Sequence, residues 1–107
     1  MKNQILAVWA ILLSLAAGSS TAQTALNMTQ LGHLTYSQEL SEVRGALHNG
    51  REYALVGVHN GFSIVDVTNP ASPTEVFFES GPSSTWRDPF YHNGHAYCVT
   101  EGGGGML

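Results

Sequence analysis

Residues 42–70 read EVRGALHNGREYALVGVHNGFSIVDVTNP, and much of this pattern returns in residues 86–107, WRDPFYHNGHAYCVTEGGGGML. Both copies carry a His-Asn-Gly triplet between two apolar runs, and Asn-Gly is a strong signal for a tight β-hairpin. A unit of roughly 40–50 residues built from short apolar runs is typical of a β-propeller blade. The sequence therefore predicts an all-β fold of four-stranded antiparallel meanders.

The repeat also predicts how the chain is divided. We expect an N-terminal lead-in strand at 23–38, a first blade at 39–83, and the truncated start of a second blade at 84–107. Because a propeller closes with about 4–8 blades, we expect the chain to be an N-terminal fragment that depends on further blades for stability. One and a half blades would leave four apolar side chains without a neighbour on at least one side: Phe62, Ile64, Val65 and Val67.

The first 22 residues have the three regions of a secretory signal peptide. Lys2 supplies the positive charge, residues 5–17 form the apolar stretch, and Ser20 and Ala22 are the small residues before the cleavage point. The apolar stretch is shorter than the roughly 20 residues that a membrane-spanning helix needs. We therefore expect export, and a secreted or cell-surface location.

The composition argues against nucleic acid as a partner, and no motif indicates a bound cofactor. Four Lys and Arg residues face eight Asp and Glu, with a formal net charge of −4, whereas nucleic-acid binding needs clustered basic residues. The glycines after Glu101 lack the Lys-Ser/Thr and the helix of a phosphate loop. His92 and His95 flank the second turn, but a metal site needs further ligands that nothing in the sequence identifies. The lone Cys98 lies in an apolar run, as a small buried hydrophobe does; a disulfide to another part of an exported protein stays open.

The strand-forming runs place the loops. They are 39–47, 53–58, 62–67 and 75–78 in the first blade, and 85–91 and 96–100 in the second. Pro89 lacks a ladder donor, so an interruption of its strand is an open alternative. Asp66 precedes Thr-Asn-Pro, where Asp commonly accepts backbone hydrogen bonds. Since connections in a meander alternate between its two ends, the loops at 59–61, 80–84 and 101–105 are predicted to meet at one end.

Residues 61–70, GFSIVDVTNP, resemble an LVIVD repeat, the blade signature of a family of secreted bacterial β-propellers. The ordered series of motifs resembles more narrowly the choice-of-anchor B family. Its further pieces are LGHL at 31–34, YALVG at 53–57, WRD at 86–88 and EGGGG at 101–105. The resemblance implies a propeller fold, export and a C-terminal surface-anchoring segment absent from these 107 residues. It implies no catalytic residues.

Loops on a rigid scaffold often carry function, and seven candidate ligand-binding residues lie on the predicted loop face: Arg44, His59, Asn60, Trp86, Arg87, Asp88 and Glu101. The first strand of each blade is expected to line the central channel of the propeller, and Arg87 and Asp88 would hold an anionic or polar ligand at the mouth of that channel. Alternatively, Arg87 bridges two blades through charge-assisted hydrogen bonds. Trp86 would stack on a sugar or pack between blades. Glu101 and its glycines would form a cation site, bring a ligand close to the backbone, or make a tight strained turn.

The sequence contains no nucleophile–base pair, paired acids or metal-ligand spacing that would indicate catalysis. It therefore predicts a secreted or surface-attached binding module for an extracellular protein or glycan. The alternative is an extracellular propeller enzyme that processes polysaccharide or peptide, with Arg87, Asp88 and Glu101 in a site at the channel mouth.

Overall fold

The computed structural model describes residues 27–103, 105 and 106; the predicted signal peptide lies outside the described residues. Six strands form two antiparallel sheets: β1 (Leu40–His48), β2 (Arg51–Val58), β3 (Gly61–Asp66) and β4 (Thr74–Ser80) in one, and β5 (Arg87–His92) and β6 (His95–Thr100) in the other. The prediction of all-β meanders is confirmed, with one complete blade followed by a hairpin of the next. Across the described part of the chain, no helix is long and apolar enough to cross a membrane.

Of the three His-Asn-Gly triplets, those at 48–50 and 92–94 form matching turns. Asn49 and Gly50 have φ angles of 50° and 76°, and Asn93 and Gly94 have angles of 49° and 85°. A two-residue type I′ turn requires positive φ at both central positions, and Asn and Gly tolerate it. The predicted hairpins are therefore confirmed, and both turns set the register of the strands they join.

The register gives a structural repeat of 44 residues within the two hairpins. Arg44 pairs with Leu55 in the first blade, and Asp88 pairs with Val99 in the second. Arg44 therefore corresponds to Asp88 and not to Arg87, and the two arginines lie on opposite faces of their strands, since a slip of one residue turns every side chain to the other face. The β1 ladder has one irregularity, between Leu40 and Val43, and is regular from Val43 to the turn.

One face of the first blade packs against the second hairpin. Leu55 of β2 and Phe62 of β3 form a buried cluster with Cys98 of β6, and Tyr91 and Ala96 pack around it. Apolar side chains from both sheets therefore leave water together, which is the main source of stabilisation in such a contact.

The other face of the blade is covered by the lead-in. Val56, Val58 and Val65 form a second buried cluster, against which Leu34 and Tyr36 pack. The expectation that Phe62, Ile64, Val65 and Val67 would lack a neighbour on one side is therefore wrong: Ile64 packs with the first cluster and Val67 with the second. The predicted lead-in strand is also wrong for the described part, since residues 27–39 form no strand.

Polar contacts also attach the lead-in to the blade. The Tyr36 hydroxyl lies 2.8 Å from Ser63 Oγ, and Ser63 Oγ donates to Glu75 Oε2 at 2.6 Å. Burial raises the pKa of Tyr36, against the opposing effect of its hydrogen bond with Ser63. Tyr36 therefore stays neutral, which is favourable beside Ser63, whose hydroxyl hydrogen-bonds to the Glu75 carboxylate.

Pro89 does not interrupt its strand. It lies in the continuous β5 ladder opposite Cys98. Because β6 is the only ladder partner of β5 in the described sheets, one edge of β5 is free of ladder bonds. A strand of that kind tolerates proline, which has no backbone N–H to donate.

Candidate functional site

Three loops meet at one end of the blades. The amide of Gly81 donates to the Asn60 carbonyl at 2.9 Å, and the amide of Ser84 donates to the His59 carbonyl at 2.9 Å. A Cβ added at Gly102 would lie 2.8 Å from the Ser83 carbonyl oxygen. The third loop is thus closed onto the second, and the predicted meeting of the three loops is confirmed.

An open groove of about 740 Å³ lies at this end, where β1 and β5 begin and β6 ends. Four of the predicted site residues line it together: Trp86, Arg87, Asp88 and Glu101. Hydroxyl side chains of Ser41, Thr85 and Thr100 belong to the same lining. The groove therefore combines one aromatic ring with hydroxyl, carboxylate and guanidinium groups.

Trp86 is held by its backbone while its side chain stays exposed. Ser84 Oγ accepts from the Trp86 amide at 3.1 Å and donates to the Trp86 carbonyl at 2.9 Å. Ser84 itself is buried, whereas Trp86 is 70% exposed. In the described chain the indole thus borders the groove instead of packing between the two sheets.

Arg44 lies at the edge of the groove and carries two exposed ion pairs. Its Nη2 is 3.0 Å from Glu42 Oε1 and 3.5 Å from Asp88 Oδ1, and its guanidinium carbon lies 6.0 Å from the centroid of the Phe90 ring. Pairs of this exposure contribute about 0–1 kcal/mol each to stability. The pair with Asp88 connects β1 with β5, whereas the pair with Glu42 lies within β1, and a ligand could exchange with either at little cost.

Arg87 is placed differently from its neighbour Asp88. It is only 2% exposed, its Nη2 donates to the Pro82 carbonyl, and a Cβ at Gly81 would lie 3.2 Å from that nitrogen. The guanidinium thus connects the second hairpin to the loop that leaves the first blade, as the bridging alternative predicted. Its Nε and Nη1 have no hydrogen-bond acceptor among the described residues.

Cys98 lies in the buried cluster with Leu55 and Phe62 and is 1% exposed. Burial raises the pKa of its thiol, and the charge of the nearby Arg87 guanidinium opposes the rise. The thiolate is therefore disfavoured at neutral pH, so the side chain behaves as the small buried hydrophobe that was predicted.

His59 and Asn60 lie outside the groove. Their carbonyls hold the neighbouring loop, while Asn60 borders a separate cavity of about 320 Å³ beside the lead-in. At the opposite end of the hairpin, His92 and His95 face each other across the turn, as predicted. No group of three side chains suited to a metal ion occurs in residues 27–103, 105 and 106.

Sequence reasoning missed Glu42 as a groove residue. It lies two positions before Arg44 on β1 and shares that guanidinium with Asp88. Its place at the start of β1 was an available signal, because β5, the corresponding strand of the next hairpin, begins at the predicted residues Arg87 and Asp88.

Comparison with known proteins identifies the repeat. Residues 51–78 match the family model of the LVIVD repeat, and they cover β2, β3 and most of β4. No curated protein and no solved structure matches the chain. The match covers the middle of the first blade. It supports the LVIVD repeat and does not confirm the narrower choice-of-anchor B family. The first blade of this chain therefore carries an LVIVD repeat, a repeat seen in β-propeller proteins.

Proposed function

We propose that this chain belongs to a secreted or cell-surface binding module that recognises an extracellular protein or glycan through the groove. The observation that supports it is Trp86, a large aromatic side chain left 70% exposed in a concave site of about 740 Å³. Binding sites are typically concave, with an apolar contact and a few convergent polar groups. Tryptophan is among the residues most enriched where proteins bind their partners.

The rigidity of the groove supports recognition. Ser41 Oγ donates to the Arg87 carbonyl at 3.1 Å, and Ser84 clamps both backbone polar groups of Trp86. The walls are therefore fixed before a ligand arrives, which lowers the entropy lost on binding.

The same groove favours binding over catalysis. Glu42, Asp88 and Glu101 line it, and carboxylates serve acid–base catalysis. However, Glu42 and Asp88 share the single guanidinium of Arg44. Two carboxylates held by one cation suit a fixed polar wall better than an acid and base with opposite protonation states. The polymer-processing enzyme thus stays the second candidate.

Export and attachment are part of the proposal. The charged, apolar and small-residue regions of residues 1–22 support secretion. The choice-of-anchor B resemblance supports further blades and a C-terminal anchoring segment in the same protein. Mass spectrometry of the exported protein should find a new N-terminus at Gln23; an intact Met1, or retention in the cytoplasm, would contradict export.

Binding is tested with the full chain on an array of purified extracellular polysaccharides and matrix proteins. The wild type should bind at least one of them, and Trp86→Ala should weaken that binding by at least about ten-fold. Phe77→Ala is the matched control, because Phe77 is an exposed aromatic on β4, outside the groove. Equal binding by wild type and Trp86→Ala, or no binding to any member of the array, would refute the proposal.

A further inference from the structure

The groove offers an apolar platform surrounded by groups that bind hydroxyls. The exposed indole of Trp86 supplies the apolar surface, and Asp88 and Glu101 supply acceptors in the same lining. The hydroxyls of Thr85 and Thr100 both donate and accept. The matching ligand has an apolar face for the ring and many small groups that donate and accept hydrogen bonds.

Arg87 adds unused donors to this wall. Its guanidinium is almost completely buried, and two of its nitrogens lack an acceptor among the described residues. A buried donor without a partner is destabilising, and more so when it is charged. Arg87 belongs to the groove lining, but both nitrogens are shielded from solvent, so a ligand oxygen or a bridging water reaches them only after a small movement of the groove wall.

Charge narrows the choice among ligands. Glu42, Asp88 and Glu101 carry three negative charges in or at the groove, while Arg44 and Arg87 carry two positive ones. The near balance selects neither a polyanion nor a polycation, because each would meet charges of its own sign. A ligand without net charge meets no such repulsion.

We propose that the groove binds a neutral oligosaccharide. One sugar ring stacks its C–H face on Trp86, its hydroxyls donate to Asp88 and Glu101, and an oxygen accepts from Arg87 directly or through a water. This proposal rests on the binding function proposed above and names the ligand class of that site. The apolar face of the sugar matches the Trp86 ring, and its hydroxyl groups match the carboxylates and the guanidinium.

The test uses the 107-residue chain carrying Trp9→Phe, in which Trp86 is the one remaining tryptophan of these residues. Cellohexaose, maltohexaose and chitohexaose are titrated against the emission of Trp86, with hexa-arginine and polygalacturonate as charged probes. We expect a saturable change with at least one neutral hexasaccharide. Its Kd should change by less than about two-fold between about 50 and 500 mM NaCl, because salt screens only charge–charge attraction.

Variants are compared by calorimetry in the otherwise wild-type chain. Trp86→Ala should raise the Kd by at least about ten-fold, and Asp88→Asn by about three- to ten-fold. Arg87→Lys should weaken binding to a similar extent, since it loses the fork of donors. Because Arg87 is buried, the exposed Asp88 gives the independent variant should Arg87→Lys fold poorly. Phe77→Ala should bind as the wild type does.

The outcomes separate this inference from the proposed function. Salt-sensitive binding of hexa-arginine or polygalacturonate to Trp86, with no neutral saccharide bound, would overturn the neutral-glycan assignment and leave a binding groove. Binding of an array protein alone through Trp86 would do the same. No binding of any probe or array member would overturn both. Shortened hexasaccharide detected by chromatography would support the ligand class and replace the binding module with the enzyme.

Discussion

The first blade and the second hairpin start from the same local structure and end in different environments. Both hairpins turn through Asn-Gly with matching positive φ angles. Leu55 of the first is 2% exposed, whereas its counterpart 44 residues later, Val99, is 46% exposed. The hairpin buries only the face that carries Cys98, toward the first blade.

The difference shows that a repeat's burial is decided by its neighbours. The first blade has the hairpin on one face and the lead-in on the other. In repeat architectures each unit contacts only adjacent units, so stability is roughly the sum of units and of the contacts between them. Mutations at equivalent positions of the two regions should therefore lower the free energy of unfolding by different amounts where the two residues are buried differently. In the two turns, whose backbone conformations match, the amounts should be similar.

The largest difference is expected at the paired positions Leu55 and Val99. Leu55→Ala should lower the free energy of unfolding by about 2–5 kcal/mol, because it leaves a cavity between the blade and the hairpin. Val99→Ala should cost less than about 1 kcal/mol, since nearly half of that residue is exposed already. Urea unfolding of the intact chain measures both. Equal costs would contradict the asymmetry of burial.

The contact between the two regions is tested next, at Gly57. An added Cβ there would clash with Ser41 Oγ of β1 and would lie 2.9 Å from Arg87 Cβ and 3.0 Å from the Arg87 carbonyl oxygen. Gly57→Ala should therefore push the hairpin from the blade and cost about 1–3 kcal/mol, as overpacking does. Gly45→Ala is the control, because a Cβ at Gly45 meets no atom within 4 Å. Hydrogen exchange should show loss of protection in β5 for the first variant alone.

A smaller and equal effect is expected at the two turns. Gly50→Ala and Gly94→Ala each place a side chain at positive φ, which costs about 1–2 kcal/mol. Since the conformation is the same in both turns, the two costs should agree within about 0.5 kcal/mol. Denaturant midpoints measure them, and a clearly unequal pair would show that the turns are not equivalent.

The smallest expected effect is a pH dependence of stability that the first blade has and the second hairpin lacks. Hydrogen bonds from Thr68 and then from Arg51 lower the pKa of Asp66 to about 2, and Arg51 corresponds to His95 in the second hairpin. An unfolded Asp titrates near pH 3.9. The contribution of Asp66 is therefore present above about pH 4 and is lost as pH falls toward 2.

Thermal unfolding of the wild type and Asp66→Asn between about pH 5 and 2 tests this. The midpoint difference between them should shrink as pH falls. Asp88→Asn is the control, because its exposed pair with Arg44 stabilises little. A difference that stays constant with pH would argue against the low pKa of Asp66.

Much of the fold was predictable from local patterns. The run at 53–58 lies within β2, and the run at 62–67 overlaps β3 in all but its last residue. Asp66 accepts the Thr68 amide at 3.0 Å, as its position before Thr-Asn-Pro predicted. These features depend on residues close in the chain, whose φ preferences and hydrogen bonds act before any long-range packing.

The site was predicted only in part. Trp86, Arg87, Asp88 and Glu101 share one groove, because alternation of the connections already assigned their segments to one end. The burial of Arg87 was not decided by its neighbours in sequence, since the next residue, Asp88, is exposed. The strand register decides on which face of the sheet a side chain lies, and a slip of one residue moves it to the other face.

The sequence by itself determined the all-β repeat, the Asn-Gly turns at 49–50 and 93–94, and the end of the blades where a groove forms. Those follow from side-chain alternation and from backbone preferences of single residues. Only the tertiary structure decided that the 44-residue register turns Arg87 inward and that a strandless lead-in covers Val56, Val58 and Val65. Both depend on contacts between segments distant in sequence, and burial is a property of what packs against a residue.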